Sequence, residues 1–136
     1  MKKYFLFLLV LFFINACDKE KEDLVDTSKN ELTDINGLAN FESEIDNGVS
    51  VVFFHASWCT VCAEQRPAVE TSAANISNAN VLFAEVEFED NADINLEYGI
   101  EGFPTIVFFK DGVEEERFVG KGHSVQEIQD IIDSLL

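Results

Sequence analysis

The chain has 136 residues, of which 26 are acidic and 9 are basic, so its formal net charge at pH 7 is −17. This excess of negative charge argues against nucleic acid as a partner, because the phosphates would be repelled. The part from Glu31 onward, about 105 residues, is long enough for one hydrophobic core and therefore for one domain. The sequence contains no repeat, and we expect the domain to be a monomer.

The N-terminal residues have the pattern of an export signal. Two lysines precede an apolar run at residues 4–14, which matches a signal-peptide core and is shorter than the roughly 20 residues that span a bilayer. The following motif, Ile14-Asn15-Ala16-Cys17, resembles the lipobox of bacterial lipoproteins, although Asn15 is unusual at its position. The resemblance implies a lipoprotein signal peptide over residues 1–16 and lipidation of Cys17. The alternative is an ordinary signal peptide followed by an incidental cysteine.

The next stretch is typical of a tether. Residues 18–30 are polar and charged, with only Leu24 and Val25 apolar, so they are expected to form no packed structure. We therefore expect residues 17–30 to link a lipid anchor to a domain in the periplasm of a bacterial cell envelope. The charged run at residues 18–23 also resembles an export signal of some surface lipoproteins, so exposure at the cell surface stays open beside the interpretation as a solvated linker.

The domain begins with alternating strand and helix patterns. A short strand is predicted over residues 32–35, and a helix over residues 37–45, where apolar residues recur at helical spacing. Residues 49–55 form a nearly continuous run of apolar, β-branched and aromatic side chains. Such a run is typical of a central strand that is buried on both faces.

Two cysteines follow that strand. Cys59 and Cys62 are separated by Thr60 and Val61 and preceded by Trp58, and they fall at the start of a predicted helix. Free N–H groups and the helix dipole favour a thiolate there, so Cys59 is predicted to be the attacking thiol and the more shielded Cys62 the resolving thiol. One alternative is a structural disulfide. Another is half of a zinc site, but no metal is expected, because the other possible ligands form no second pair: Cys17, His55 and His123.

The rest of the chain continues the alternation. The helix after the cysteines is predicted over residues 63–76 and contains Pro67, which removes one hydrogen bond and bends the helix. The further predicted elements are a central strand at 81–88, a short helix at 93–98, a hairpin of 105–109 and 114–119 with Asp111-Gly112 at its turn, and a last helix capped by Ser124. Strands that alternate with helices and end in a hairpin predict an α/β domain with a mixed sheet covered on both faces.

Several motifs from residue 51 to the C-terminus together resemble the thioredoxin family. In chain order they are Val-Val-Phe-Phe-His-Ala-Ser-Trp-Cys-Thr-Val-Cys at 51–62, Pro67, Tyr-Gly-Ile-Glu-Gly-Phe-Pro-Thr at 98–105, Phe-Lys-Asp-Gly at 109–112, and Gly120. One Cys-x-x-Cys pair would be weak support, whereas separate matches in the right order are specific. The resemblance implies a thioredoxin-like fold over residues 31–136, with a central mixed β-sheet flanked by helices on both faces.

The resemblance also implies a site and an activity. In that family the bond corresponding to Phe103-Pro104 is cis and lies beside the active-site loop, where the backbone before the proline pairs with an extended substrate segment. Trp58, Phe103, Pro104 and Thr105 are thus expected to shape a substrate-binding surface. The implied activity is thiol-disulfide oxidoreduction, with the redox-active disulfide Cys59-Cys62 in place of any cofactor.

Two positions behind the cysteines depart from the family pattern. The family commonly has a buried aspartate where this sequence has Phe53, and a lysine on the neighbouring strand where it has Glu85. We expect Glu85, if buried behind the loop with a raised pKa, to accept the proton of Cys62; the alternative is that Glu85 points to solvent. His55 either stabilises the Cys59 thiolate when protonated or is an ordinary core or edge histidine.

Taken together, these features favour an exported, membrane-anchored reductase of disulfide-containing envelope proteins. Reduction in an oxidising compartment requires electrons, so a membrane thiol donor is an expected partner. Thr60 and Val61 do not reveal the direction of electron flow, which leaves an oxidant or isomerase open. From another functional class, the alternative is a peptide-binding module that uses the Phe103-Pro104 groove and has a structural disulfide.

Overall fold

Residues 32–136 are described by a computed structural model of the chain. In chain order, their elements are β1 Thr33–Asp34, α1 Leu38–Ile45, β2 Val49–His55, α2 Thr60–Asn75, β3 Val81–Glu87, α3 Ala92–Glu97, β4 Thr105–Lys110, β5 Val113–Val119 and α4 Val125–Leu135. The predicted signal peptide, Cys17 and the tether lie outside these residues.

The strands form one mixed sheet in the order β1-β3-β2-β4-β5. Strand β2 pairs in parallel with β3 and antiparallel with β4. At the two edges, β1 is parallel to β3 and β5 is antiparallel to β4. All of β2 except its last residue is buried, as its apolar run predicts, and the predicted mixed sheet is confirmed.

Two hydrophobic clusters cover the two faces of this sheet. Successive residues of a strand point to opposite faces, so the residues of β2 divide between the clusters. Val51 and Phe53 belong to the cluster formed with α2 and α4, whereas Val52 and Phe54 belong to the cluster formed with α1 and α3. The prediction that helices flank both faces is therefore confirmed, and the C-terminal end of β2 is held from both sides.

Most predicted boundaries agree with the structure to within one residue, and the start of α2 differs most. Helix α2 begins at Thr60, three residues before the predicted start at residue 63, and its N-cap is Cys59. Cysteine is not among the residues that usually cap helices, but this start agrees with the expectation that the two cysteines lie at the beginning of a helix. Strand β1 has two residues and is exposed, because only Thr33 and Asp34 pair with β3 at the sheet edge.

Two local signals act as predicted. The Ser124 hydroxyl accepts a hydrogen bond from the Glu127 N–H at 3.2 Å, and the Glu127 carboxylate accepts one from the Ser124 N–H at 2.8 Å, which forms a capping box at the start of α4. In the hairpin of β4 and β5, Asp111 and Gly112 have φ values of 48° and 80°. Positive φ at both central residues is the requirement of a type I′ turn.

Gly48 sits at the tight entry into β2. Its φ is +76°, and a Cβ built on it would lie 2.5 Å from the backbone oxygen of Asn80. A side chain at residue 48 would thus destabilise the domain in two ways. Residue 48 would have to keep a left-handed backbone conformation, and its Cβ would collide with the backbone of Asn80.

Replacing Gly48 with alanine is expected to destabilise the domain more than the same change at Gly99. Gly99 has φ +59° and no heavy atom within 4 Å of its built Cβ, so Gly99→Ala isolates the left-handed penalty of about 1 to 2 kcal/mol. The collision at residue 48 should add about 1 to 3 kcal/mol. Urea unfolding of both variants measures the difference, and equal losses would show that the Asn80 backbone yields without cost.

Candidate active site

The cysteine pair occupies the start of α2. Cys59 and Cys62 are joined as a disulfide with their Cα atoms 5.3 Å apart. The Sγ atom of Cys59 lies 3.1 Å from the backbone N–H of Cys62, which donates to it. This donor and the positive helix end both favour negative charge on that sulfur after reduction. Cys59 is half-buried and Cys62 is 4% exposed, so a partner reaches the first sulfur more easily than the second.

A second segment lies beside the pair. The Phe103-Pro104 peptide bond is cis, and the Thr105 hydroxyl donates to the Gly102 carbonyl at 2.7 Å within the same turn. The Trp58 ring meets the Phe103 ring edge-on, with centroids 6.0 Å apart. Trp58 is 66% exposed, so the two segments present one aromatic surface next to Cys59. Of the four residues that were expected to shape a substrate surface, the structure brings Trp58 and Phe103 into contact, whereas Pro104 and Thr105 follow Phe103 in the chain and are buried.

Comparison with known proteins identifies the family of this chain. The family model for Thioredoxin matches residues 33–134. The chain belongs to the thioredoxin family. A thioredoxin of Chlamydia caviae is 37% identical over 81 residues, covering 60% of this chain and 78% of that protein. A thioredoxin of Staphylococcus aureus is 32% identical over 83 residues with the same coverage, 60% and 78%. A solved mutant thioredoxin of Halobacterium salinarum matches with a TM-score of 0.69 and 30% identity, over 79% of this chain and 93% of that one.

Membership of the thioredoxin family determines the reaction type. Thioredoxins are thiol-disulfide oxidoreductases that act on disulfide-bearing proteins, and this chain, with its Cys59-Cys62 disulfide, is an enzyme of that type. The cysteine pair itself carries the two electrons of the reaction, holding them as a dithiol and lacking them as a disulfide, so the chemistry requires no separate cofactor. Among residues 32–136, no group of three or more His, Cys, Asp or Glu side chains is arranged to hold a metal ion.

Behind the cysteines, an aromatic ring stands where thioredoxins commonly have an aspartate. Phe53 is fully buried in the cluster that also contains Cys62. The His55 ring stacks on it, with centroids 5.6 Å apart, and the guanidinium carbon of Arg66 lies 5.2 Å from its centroid. The charged groups of this thioredoxin-like site therefore lie around Phe53, towards the end of β2.

Glu85 is held by two of these groups. Its Oε2 atom accepts a hydrogen bond from Nη2 of Arg66 at 2.6 Å and lies 3.1 Å from Nε2 of His55. The His55 hydrogen bond, opposed by burial and helped by Arg66, lowers the pKa of Glu85 below its ordinary value. The expected raised pKa is therefore wrong, because both neighbours favour the charged carboxylate. The alternative of a solvent-directed side chain is also wrong, since the Glu85 side chain is 21% exposed and paired.

The sequence analysis missed two charged residues at this site. Arg66 lies four residues after Cys62, so both fall on one face of α2, and this spacing was the available signal. Glu89 follows β3 and accepts hydrogen bonds from both the N–H and the hydroxyl of Ser57, at 3.2 Å and 2.7 Å. The Ser57 hydroxyl is the main cause that lowers the pKa of Glu89. Nothing in the spacing of Ser57 and Glu89 indicated that the active-site loop would be tied to the end of β3.

A cavity of about 250 Å³ connects these charges to the cysteines. Its lining includes Cys59, Cys62, Arg66 and His55. The two sulfur-bearing side chains, His55 and Arg66 therefore border the same space, and Glu85 contacts it only through its partners His55 and Arg66. No helix within residues 32–136 is both long and apolar enough to cross a membrane.

We expect Glu85→Gln to lower the free energy of unfolding at pH 7 by about 1 kcal/mol, because charge-assisted hydrogen bonds from His55 and Arg66 are lost. The pKa of Glu85 is lower in the folded chain than in the unfolded chain. Its contribution is therefore present above the unfolded value, about 4, and disappears as the pH falls through the folded value.

Urea unfolding at several pH values between about 7 and 3 tests this expectation. The variant and the unaltered chain should converge on acidification. Glu87→Gln is the matched control, since Glu87 is on the same strand and forms no salt bridge within residues 32–136. A difference for Glu85→Gln that stays constant at every pH would show a packing effect instead of a charge effect.

Proposed function

We propose that this thioredoxin-family enzyme is exported, anchored to a membrane through Cys17, and reduces disulfides of envelope proteins. The observation that carries the reductase activity is the reactive pair itself: a half-buried Cys59 sulfur at a helix start, beside an exposed aromatic surface. The anchor is supported by the sequence, in which a short apolar run and a lipobox-like motif end at Cys17.

The proposed cycle moves two electrons from the cysteine pair to a substrate disulfide. The Cys59 thiolate attacks one substrate sulfur, the substrate S–S bond breaks, and the second substrate sulfur leaves as a thiolate. The Cys62 thiolate then attacks Cys59 Sγ in the mixed disulfide, and the first substrate sulfur leaves with its electron pair. The substrate gains two electrons and two protons, and the enzyme is left with its disulfide. A membrane thiol donor must then reduce that disulfide before the next cycle.

The reductive direction is supported by the names of the relatives. The proteins from Chlamydia caviae and Staphylococcus aureus are both called thioredoxin. Thioredoxin pairs have potentials near about −270 mV, whereas the oxidant DsbA lies near about −120 mV. A protein with a potential near that of thioredoxin donates electrons to most protein disulfides, whereas a protein with a potential near that of DsbA withdraws electrons from thiols.

A redox titration of the chain from Glu31 onward, read by alkylation of free thiols and mass measurement, distinguishes the candidate functions. We expect a reversible midpoint near or below about −250 mV, because the relatives are thioredoxins. A midpoint near about −120 mV would contradict the reductase and support an oxidant. A pair that does not titrate reversibly would favour the peptide-binding module with a structural disulfide. Cys62→Ser is the control, since one remaining thiol of the pair cannot close the disulfide.

The anchor is tested by changing its cysteine. Cys17→Ser should abolish incorporation of labelled fatty acid and shift the protein from the membrane fraction to the soluble fraction, because the thiol that carries the lipid is removed. Cys62→Ser removes a different cysteine and should leave the fractionation unchanged. If the unaltered chain takes up no lipid at Cys17, the anchor is refuted, whatever the outcome of the redox titration.

A further inference from the structure

The Cys62 thiol needs a proton acceptor that its surroundings must provide. Only a thiolate attacks the mixed disulfide, but Cys62 is 4% exposed. Its proton therefore has little direct access to bulk water. The cavity of about 250 Å³ borders Cys62 and also His55, and a space of this size has room for water molecules, each of which occupies about 30 Å³.

His55 is the group on this cavity that has a free basic atom. Its Nε2 atom faces Glu85 Oε2 at 3.1 Å, and an ionised carboxylate can only accept, so Nε2 carries the hydrogen. In the neutral form of the ring, the other nitrogen, Nδ1, then has the lone pair. Within residues 32–136, no side-chain hydrogen bond engages Nδ1 of His55, whose side chain is 14% exposed. The ring thus borders the cavity while being largely sheltered from solvent.

Two contacts position the His55 ring, and Arg66 holds the carboxylate that makes one of them. Phe53 stacks on it in a nearly parallel arrangement, at 16° between the ring planes. Glu85 contacts Nε2, and Arg66 binds the same carboxylate oxygen at 2.6 Å.

The charged and titratable groups that face His55 come from several neighbouring elements. They are Glu85 and Glu87 of β3, Glu89 after β3, Arg66 of α2, and the two cysteines across the cavity.

We infer that His55 accepts the proton of the Cys62 thiol during resolution of the mixed disulfide, and that Glu85 and Arg66 are positioning residues for His55. The proton moves from Cys62 Sγ to Nδ1 of His55 through cavity water. The Cys62 thiolate attacks Cys59 Sγ, the mixed disulfide breaks, and the substrate sulfur leaves with the electron pair. The proton then passes to that sulfur or to solvent. This inference rests on the cysteine cycle, and not on the proposed anchor or direction of electron flow.

Glu85 is a poorer acceptor than His55 in this geometry. One of its oxygens, Oε2, is engaged by both Arg66 and His55, and both partners stabilise the unprotonated carboxylate. The lining of the cavity includes His55 and Arg66, and Arg66 remains protonated and cannot accept a proton. The proton-accepting role that the sequence suggested for Glu85 thus passes to its partner, and Glu85 orients the ring.

The test follows one turnover of the full-length chain. The reduced protein is mixed with a peptide disulfide, quenched and alkylated at intervals, and the mixed disulfide on Cys59 is quantified by mass. At pH 7, His55→Phe should leave its formation within twofold of normal and slow its decay by about 100-fold, at the low end of general-base effects. Above about pH 9 the difference between the two decay rates should narrow, because hydroxide then increasingly deprotonates the Cys62 thiol without His55.

Two controls separate chemistry from structure. His123→Phe replaces the other histidine of the chain, which is also stacked on a ring, that of Phe118, at 4.4 Å, and it should change neither rate. If circular dichroism shows that His55→Phe does not fold, His55→Gln repeats the experiment with a polar side chain. An unchanged decay rate, or a slowing that persists equally above pH 9, would overturn the role of His55.

The positioning role of Glu85 is tested by a double variant. Glu85→Gln alone should slow the decay of the mixed disulfide by less than His55→Phe does. The combination of both changes should be no slower than His55→Phe alone, because residues that act through one another are not additive. If the two effects multiply, Glu85 acts independently of His55 and the positioning role is wrong. Because a single turnover is followed, failure here is distinguishable from failure of the reductase proposal, which the redox potential decides.

Discussion

The burial of β2 on both faces is the constraint on which the rest of the domain depends. Its residues divide between two hydrophobic clusters, so the strand cannot shift its register by one residue without exchanging its entire set of side chains between them. The strand ends at His55, and the loop to Cys59 begins there. The position of the reactive sulfur is thus determined by the packing of β2, whose last residue lies four positions before Cys59 in the sequence.

The same alternation explains the unusual electrostatics of the site. Phe53 points to the face covered by α2 and α4 and is fully buried, so this position of β2 holds an apolar ring and not a charged group. The charged and polar groups lie near the C-terminal end of β2, which is partly exposed, where His55 and Arg66 both contact Glu85. Ion pairs that keep some contact with water lose less solvation than fully buried pairs. The site therefore keeps a polar group beside its cavity without a deeply buried charge.

The sequence predicted those features whose signals are local. The β2 run, the cysteine pair, the Asp111-Gly112 turn and the Ser124 cap each depend on neighbouring residues alone. The ion pairs of Glu85 could not be predicted in the same way, because Arg66 is 19 residues distant and reaches Glu85 only for one rotation of α2 about its axis. The expectation of a raised pKa considered burial but not this partner, which is why its sign was wrong.

The distribution of charge and apolar surface indicates how the enzyme meets its substrates. The chain has a net charge of −17. The repulsion between this charge and other acidic molecules is screened within about 10 Å at moderate ionic strength. At contact distance, a substrate meets the exposed Trp58 and Val61 beside Cys59, with Phe103 packed against Trp58. Under the proposed function, a substrate disulfide approaches Cys59 over this apolar surface, and the screened net charge contributes little to the contact itself.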